Sequence, residues 1–137
     1  MKKIFSLFRP KSSSIDSVTL PSEEEIRMRV KYFPVGFSEV RDCIGSLIVR
    51  APDYKNEFHP EYTREITYGS VVIALDKLII NARNEKRREQ FRKCREYVLT
   101  AHNAFVVGDE TAGYPAIQEA YEIMRMLQRK SASTADN

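Results

Sequence analysis

The sequence predicts an α+β fold in one small domain, with an amphipathic strand, three or so helices and a flexible N-terminal arm. Three observations predict it. Segment 26–32 alternates apolar and basic side chains, which is the period of a half-buried strand. Segments 38–50 and 115–129 repeat apolar residues at helical spacing. The length of 137 residues allows one domain with a core of its own, but not two ordinary domains.

The arm, residues 1–21, is predicted to precede a compact domain at residues 22–130. It is basic at first, then rich in Ser and Thr, and it ends in Leu20-Pro21. Its apolar stretch is too short for a secretion signal. Lys at position 2 excludes N-myristoylation.

The start of the arm mixes apolar and basic side chains, a combination typical of segments that bind a membrane surface. The basic side chains would meet anionic lipid heads while the apolar ones insert shallowly. The alternative is a disordered tail with incidental aromatic residues. The predicted membrane-binding residues are Lys2, Lys3, Ile4, Phe5, Leu7, Phe8, Arg9 and Lys11.

The predicted strand competes with a helix signal immediately before it. Residues 22–25, Ser-Glu-Glu-Glu, look like the start of a helix, but the strict alternation over 26–32 favours a strand. Pro34 and Gly36 would end it. Its basic face would be a functional surface, an exposed strand face or an edge protected by charge; it comprises Arg27, Arg29 and Lys31.

The remaining elements follow from spacing and composition. Segment 38–50 is predicted to be an amphipathic helix with Ser38 as its N-cap. Residues 53–61 are polar and read as a loop. For 61–82 the pattern favours a helix, with a stripe of Ile66, Ser70, Ile73, Lys77 and Ile80, although the SVVIAL run also fits a buried strand.

The last third of the chain is less determined. Residues 97–99 and 104–107 fit either strands or the end of a long helix. Gly108 marks a turn, and the helix at 115–129 has Pro115 in its first turn. Residues 131–137 are predicted to be a disordered polar tail.

The basic segment, residues 83–95, contains seven basic and two acidic residues. If it is helical, it can hold phosphates or an acidic protein surface, unless Glu85 and Glu89 neutralise it by local pairs. No pattern for stacking bases accompanies it, so we expect no sequence-specific nucleic-acid binding. The candidate residues for nucleocapsid or nucleic-acid binding are Lys86, Arg87, Arg88, Arg92, Lys93 and Arg95.

Catalytic patterns are not recognisable, so we expect a protein that is not an enzyme and has no cofactor. The five glycines are isolated, and no phosphate loop is present. Cys94 and His102 could be imagined as a nucleophile pair, but a structural role is favoured for both. Cys43 and His59 complete the set of Cys and His residues, and no pair in it has the spacing of a zinc site.

The order of elements resembles that of rhabdovirus matrix proteins. It consists of a basic amphipathic start, a Ser/Thr/Pro arm, IRMRVKYF, FSEVRDCIGSLIVR, the DYKN loop and SVVIALDKL, and it covers roughly residues 1–80. The resemblance implies a protein that binds the inner face of a membrane, self-associates, contacts the nucleocapsid and drives budding. The proline-rich budding motifs PPxY and PTAP are absent, and nothing after residue 83 matches.

These observations lead to two hypotheses. The first is a matrix-like structural protein, cytoplasmic and peripheral on the inner face of a membrane, or in the virion if viral. Its partners would be an anionic membrane surface, a viral nucleocapsid or other acidic partner, and further copies of itself. The alternative is a small non-enzymatic RNA-binding or host-interaction accessory protein that acts through residues 83–95.

Overall fold

The computed structural model describes the backbone of residues 19–136 and the side chains of residues 19–129. The predicted membrane-binding residues, Lys2 to Lys11, therefore lie outside the described part. Within it the chain forms five helices. These are α1 (Glu23–Arg29), α2 (Gly36–Arg50), α3 (Arg64–Ile80), α4 (Glu85–Val106) and α5 (Glu110–Asp136).

The predicted α+β class is wrong, because residues 19–136 are helical and contain no strand. The predicted strand at 26–32 is instead the second half of α1 and the extended residues after it. Ser22 and Glu25 explain the difference. The Ser22 hydroxyl accepts the Glu25 N–H at 3.2 Å, and the Glu25 carboxylate accepts the Ser22 N–H at 2.8 Å. This capping box starts a helix that the alternation concealed.

The burial pattern of α1 confirms helical spacing. Ile26 and Val30, four residues apart, are buried, whereas Met28 between them is 84% exposed. A strand would have placed all three on one face. Ile26 packs onto α3 at Gly69, where an added Cβ would lie 3.1 Å from the Ile26 Cδ1 atom. The short helix is thus fixed by its cap and by one close approach.

The predicted helix at 38–50 is confirmed as α2, which begins two residues earlier, at Gly36. Gly36 has a φ of 85°, a conformation that suits glycine. Val40, Ile44 and Leu47 form its buried stripe. At Gly45 the Tyr121 ring of α5 comes within 3.3 Å of where a Cβ would stand, so these two helices approach closely.

The favoured helix at 61–82 is confirmed as α3, the most buried helix of the described chain. Thr63 caps it by accepting the Ile66 N–H at 3.3 Å. It contacts α1, α2 and α4. The predicted stripe holds at Ile66 and Ser70, which are buried, but its last member, Ile80, is exposed at the end of the helix.

Helices α4 and α5 form the most extensive helix pair. Residues 97–99 and 104–107, for which strand and helix were both open, belong to the long α4 and its C-cap. The helix predicted at 115–129 extends further in both directions, so Pro115 lies in the second turn and not the first. Asp109 begins α5 by accepting the Ala112 N–H at 3.2 Å.

Candidate functional site

The basic segment lies at the start of α4, and its arginines are largely used to join helices. Arg88 donates to the carbonyl oxygens of Ile79 at 3.0 Å and Ala82 at 3.1 Å, and to Glu85 at 2.7 Å. The two carbonyl groups belong to the end of α3 and the turn after it. Arg88 therefore closes the end of α3 onto α4.

Arg92 and Arg95 also have partners within the chain. Arg92 donates to Glu85 and Glu89, each at 3.1 Å, and these hydrogen bonds raise the pKa of the guanidinium. Arg95 donates to Asp76 of α3 at 2.7 Å. The face predicted to gather Arg88, Arg92 and Arg95 is thus present on α4, but its positive charge is balanced by carboxylates.

Arg87 packs against aromatic rings. Its guanidinium carbon lies 5.3 Å from the ring centres of both Phe37 and Phe91. Burial, followed by repulsion from Arg83, lowers its pKa. Lys86 and Lys93 are exposed, and they are members of the predicted set without an ion-pair or hydrogen-bond partner among residues 19–129. Two lysines, and not six cations, remain available there.

A cleft of about 610 Å³ opens on another part of the surface. Three stretches of the chain line it: the end of α1 with the residues after it, one side of α2, and the loop before α3 with the first turn of that helix. Its lining residues are Arg29, Lys31, Tyr32, Cys43, Ser46, Leu47, Arg50, Tyr54, Asn56, His59, Glu61, Tyr62 and Thr67.

The lining of the cleft is cationic. Arg29, Lys31 and Arg50 stand against one carboxylate, Glu61, so the cleft carries two more positive than negative charges. Arg29 and Lys31 have no ion-pair or hydrogen-bond partner among the described residues. Glu61 faces His59, whose Nδ1 atom lies 3.7 Å from the Glu61 carboxylate. The two residues predicted as part of a strand face therefore open into a concave site.

Tyrosines form the walls and the floor of the cleft. The Tyr32 N–H donates to the Tyr62 hydroxyl at 3.0 Å, which joins the residues after α1 to the loop before α3. The Tyr32 hydroxyl lies 3.8 Å from the Cys43 Sγ atom, and burial raises the pKa of both groups. At the floor, Tyr54 adopts a positive φ of 54°, which non-glycine residues seldom adopt.

Beneath the floor is a buried polar group. The hydroxyls of Tyr54 and Tyr68 are hydrogen-bonded at 2.6 Å, and burial raises the pKa of Tyr54 to about 12. The Tyr68 ring packs on His102, at 4.9 Å between ring centres. His102 is 1% exposed, and its Nε2 atom has no hydrogen-bond partner in the described structure. Glu65 lies 3.7 Å from that atom.

Cys94, considered with His102 as a nucleophile pair, lies in the core. Its Sγ atom donates to the Ala120 carbonyl at 3.5 Å, and burial raises its pKa to about 12. Burial also lowers the pKa of His102, against the attraction of Glu65. The thiol is therefore protonated at neutral pH and out of contact with solvent.

Three exposed apolar residues are immediate sequence neighbours of residues that line the cleft. Met28 precedes Arg29 and is 84% exposed, Val49 precedes Arg50 and is 84% exposed, and Phe58 precedes His59 and is 87% exposed. Single exposed apolar residues are ordinary on a protein surface. Three of them beside lining residues in the sequence make the surroundings of this cleft the candidate surface for binding a partner.

Sequence reasoning missed this site because its residues come from three stretches of the chain. The DYKN stretch was assigned to a polar loop, and Arg29 and Lys31 to a strand face. A local signal existed in the aromatic residues of 54–62, which a purely solvated loop does not need. The chain itself places that loop directly after α2, but nothing in the sequence brings it to the end of α1 and the residues that follow.

The comparisons with protein-family models, with curated proteins and with solved structures find no match to this chain. None of the helices within residues 19–136 combines the length and apolar character that crossing a membrane requires. In the same part of the chain, no group of three or more His, Cys, Asp or Glu side chains is placed to hold a metal ion.

Proposed function

We propose that this chain is a non-enzymatic structural protein that docks on an anionic membrane surface and self-associates there, as matrix proteins do. The observation that carries the proposal is the surface around the cleft. It combines unpaired cations, Arg29 and Lys31, with exposed Val49 and Phe58. Cations attract anionic lipid heads, and apolar side chains gain free energy by insertion between them.

The N-terminal arm would add to this surface. Its four basic side chains are each worth about 1 kcal/mol near an anionic membrane, and two weak signals together hold a protein more firmly than one. Self-association would multiply these contacts. The resemblance to rhabdovirus matrix proteins supports the same function, although IRMRVKYF, one of the elements it relies on, is not the strand that was predicted.

An acidic partner such as a nucleocapsid is assigned to the exposed lysines of α4, Lys86 and Lys93. The alternative function, RNA binding through residues 83–95, has less support. It requires Arg88, Arg92 and Arg95 to exchange their partners within the chain for phosphates. For Arg88 and Arg95, an exchange of that kind removes contacts that join α3 to α4.

The test is co-sedimentation of the full chain with vesicles of neutral phosphatidylcholine and of phosphatidylcholine with phosphatidylserine. We expect binding to the anionic vesicles only. The double variant Val49→Ser, Phe58→Ser should bind them roughly thirtyfold more weakly, because inserting half of each side chain contributes about 1 kcal/mol, or about 2 kcal/mol for the two.

The matched control is Ile80→Ser, Val107→Ser. These residues are 75% and 76% exposed, and neither adjoins a lining residue of the cleft. The control variant should bind like the parent protein. Equal binding to neutral and anionic vesicles, or equal binding by the two double variants, would contradict the proposed docking surface.

A further inference from the structure

We propose that the cleft is a pocket for a lipid headgroup that carries a phosphate monoester, so that docking selects a lipid and does not respond to surface charge alone. The inference rests on the proposed membrane function and names the partner of the same surface. A phosphate monoester carries nearly two negative charges at neutral pH. The lining of the cleft has an excess of two positive charges.

The cations of the cleft are placed to bind an anion. Arg50 ends α2, and its Nη1 atom donates to the Lys55 carbonyl at 2.9 Å, which holds the guanidinium in place. A guanidinium has five N–H donors, so most of them remain for a ligand. Arg29 and Lys31 have no partner among residues 19–129, so a phosphate would not have to displace a carboxylate from them.

Two polar side chains of the lining, Tyr62 and Asn56, already accept a hydrogen bond through their oxygen atoms. Their N–H and O–H donors remain available to a ligand. The Tyr62 oxygen accepts the Tyr32 N–H at 3.0 Å, so its own proton remains for donation. The Asn56 carbonyl oxygen accepts the His59 N–H at 3.0 Å, and its amide N–H groups remain. Remaining donors suit an anionic ligand, because phosphate oxygens are acceptors.

The size of the cleft favours a headgroup over a polymer. Its volume of about 610 Å³ lies in the range of small-molecule sites. It holds a phosphate with a ring-sized body, and the tyrosine walls give that body a surface to pack on. The chain's own arm is a poor occupant, because Lys2, Lys3, Arg9 and Lys11 would meet the cations of the cleft.

The experiment measures binding of the full chain to vesicles of equal surface charge. One set contains phosphatidylserine and the other contains phosphatidylinositol monophosphate. We expect binding at least tenfold tighter to the second set. The double variant Arg29→Gln, Lys31→Gln should lose that preference, whereas Arg83→Gln, Arg129→Gln, which removes the same charge from exposed positions that do not line the cleft, should keep it.

The free headgroup, inositol bisphosphate, distinguishes a lipid from a soluble ligand. We expect it to compete with the vesicles in the parent protein and not in Arg29→Gln, Lys31→Gln. Tighter binding of the free headgroup than of the vesicles would overturn the lipid assignment. Equal binding to both vesicle sets would overturn the pocket but leave membrane docking intact, and no binding to either set would overturn the proposed function itself. Binding of an acidic peptide in place of both probes would also contradict the inference.

Discussion

The start of α4 and the cleft both gather basic side chains, but the neighbours of those side chains differ. On α4 the arginines meet the carboxylates of Glu85, Glu89 and Asp76, or the carbonyl groups at the end of α3. In the cleft, Arg29 and Lys31 meet no such partners among the described residues. The basic segment has more cations than the cleft but offers fewer of them to a ligand, because its arginines are already paired with carboxylates or carbonyl groups of the chain.

The largest expected difference between the two regions is in how much stability the chain loses when an arginine is replaced. Arg88→Met should lower the free energy of unfolding by about 2–3 kcal/mol, because two carbonyl groups and Glu85 lose a charged donor. Arg29→Met should change it by less than about 0.5 kcal/mol, as expected for an exposed side chain without partners. Urea denaturation followed by circular dichroism measures both.

The matched control is Lys86→Met, which removes the same charge two residues earlier on α4. It should behave like Arg29→Met in denaturation. If Arg88→Met were as stable as Lys86→Met, the hydrogen bonds of Arg88 would not contribute to stability. Arg88 would then be available for binding, and the basic segment would again be a candidate binding surface.

The next largest effect is a pH dependence of stability, and it arises from His102 in the buried polar group beneath the floor of the cleft. Burial lowers the pKa of His102 below 6.5, so the folded chain holds it neutral while the unfolded chain takes up a proton as the pH falls. Stability should therefore fall as the pH drops below about 6.5, by at most about 1.4 kcal/mol per pH unit for one proton. Urea denaturation between pH 7.5 and pH 5.5, roughly one unit on either side, measures it.

The range from pH 7.5 to pH 5.5 avoids the titration of Glu65, because the contribution of Glu65 to stability is lost only at lower pH. Burial raises the pKa of Glu65, but the Arg64 and backbone hydrogen bonds bring it below 4.5 overall. His102→Gln should flatten the slope between pH 7.5 and pH 5.5. An unchanged slope in His102→Gln would show that another group titrates under the cleft.

The sequence predicted α2 and α3 well, because their apolar spacing is local. Val40, Ile44 and Leu47 are buried on α2 as the spacing requires, and the helix favoured at 61–82 is present. The fold class failed at one short segment. There Ser22 and Glu25 form a capping box, and the alternation of Ile26, Met28 and Val30 was taken for a strand.

The candidate site was less predictable, because partner choice is a tertiary property. Glu85 and Glu89 were recognised as local neutralisers of the basic run, and the structure pairs both with Arg92. The Arg95 contact with Asp76 joins two helices and has no signature in sequence. The convergence of Arg29 and Arg50 on one cleft is equally non-local.

The smallest effect is expected when the basic segment is released from its carboxylates. Glu85→Gln, Glu89→Gln should cost less than about 1 kcal/mol of stability, because exposed ion pairs contribute little. It should strengthen binding to an unspecific polyanion such as heparin or a homopolymeric RNA. Freeing Arg92 should also steepen the salt dependence by about 0.7–0.9 in the logarithmic slope. Affinity measured over a salt series tests this.

The control for this change is Glu96→Gln, Glu119→Gln, which removes two exposed carboxylates without ion-pair partners in the described structure. Both variants gain the same net charge, so a difference between them isolates the local pairs from the overall field. If the control bound heparin as strongly as Glu85→Gln, Glu89→Gln, net charge would explain the gain. The pairing of Arg92 with carboxylates would then not explain why α4 differs from the cleft. The two regions would differ only in that the cleft is concave.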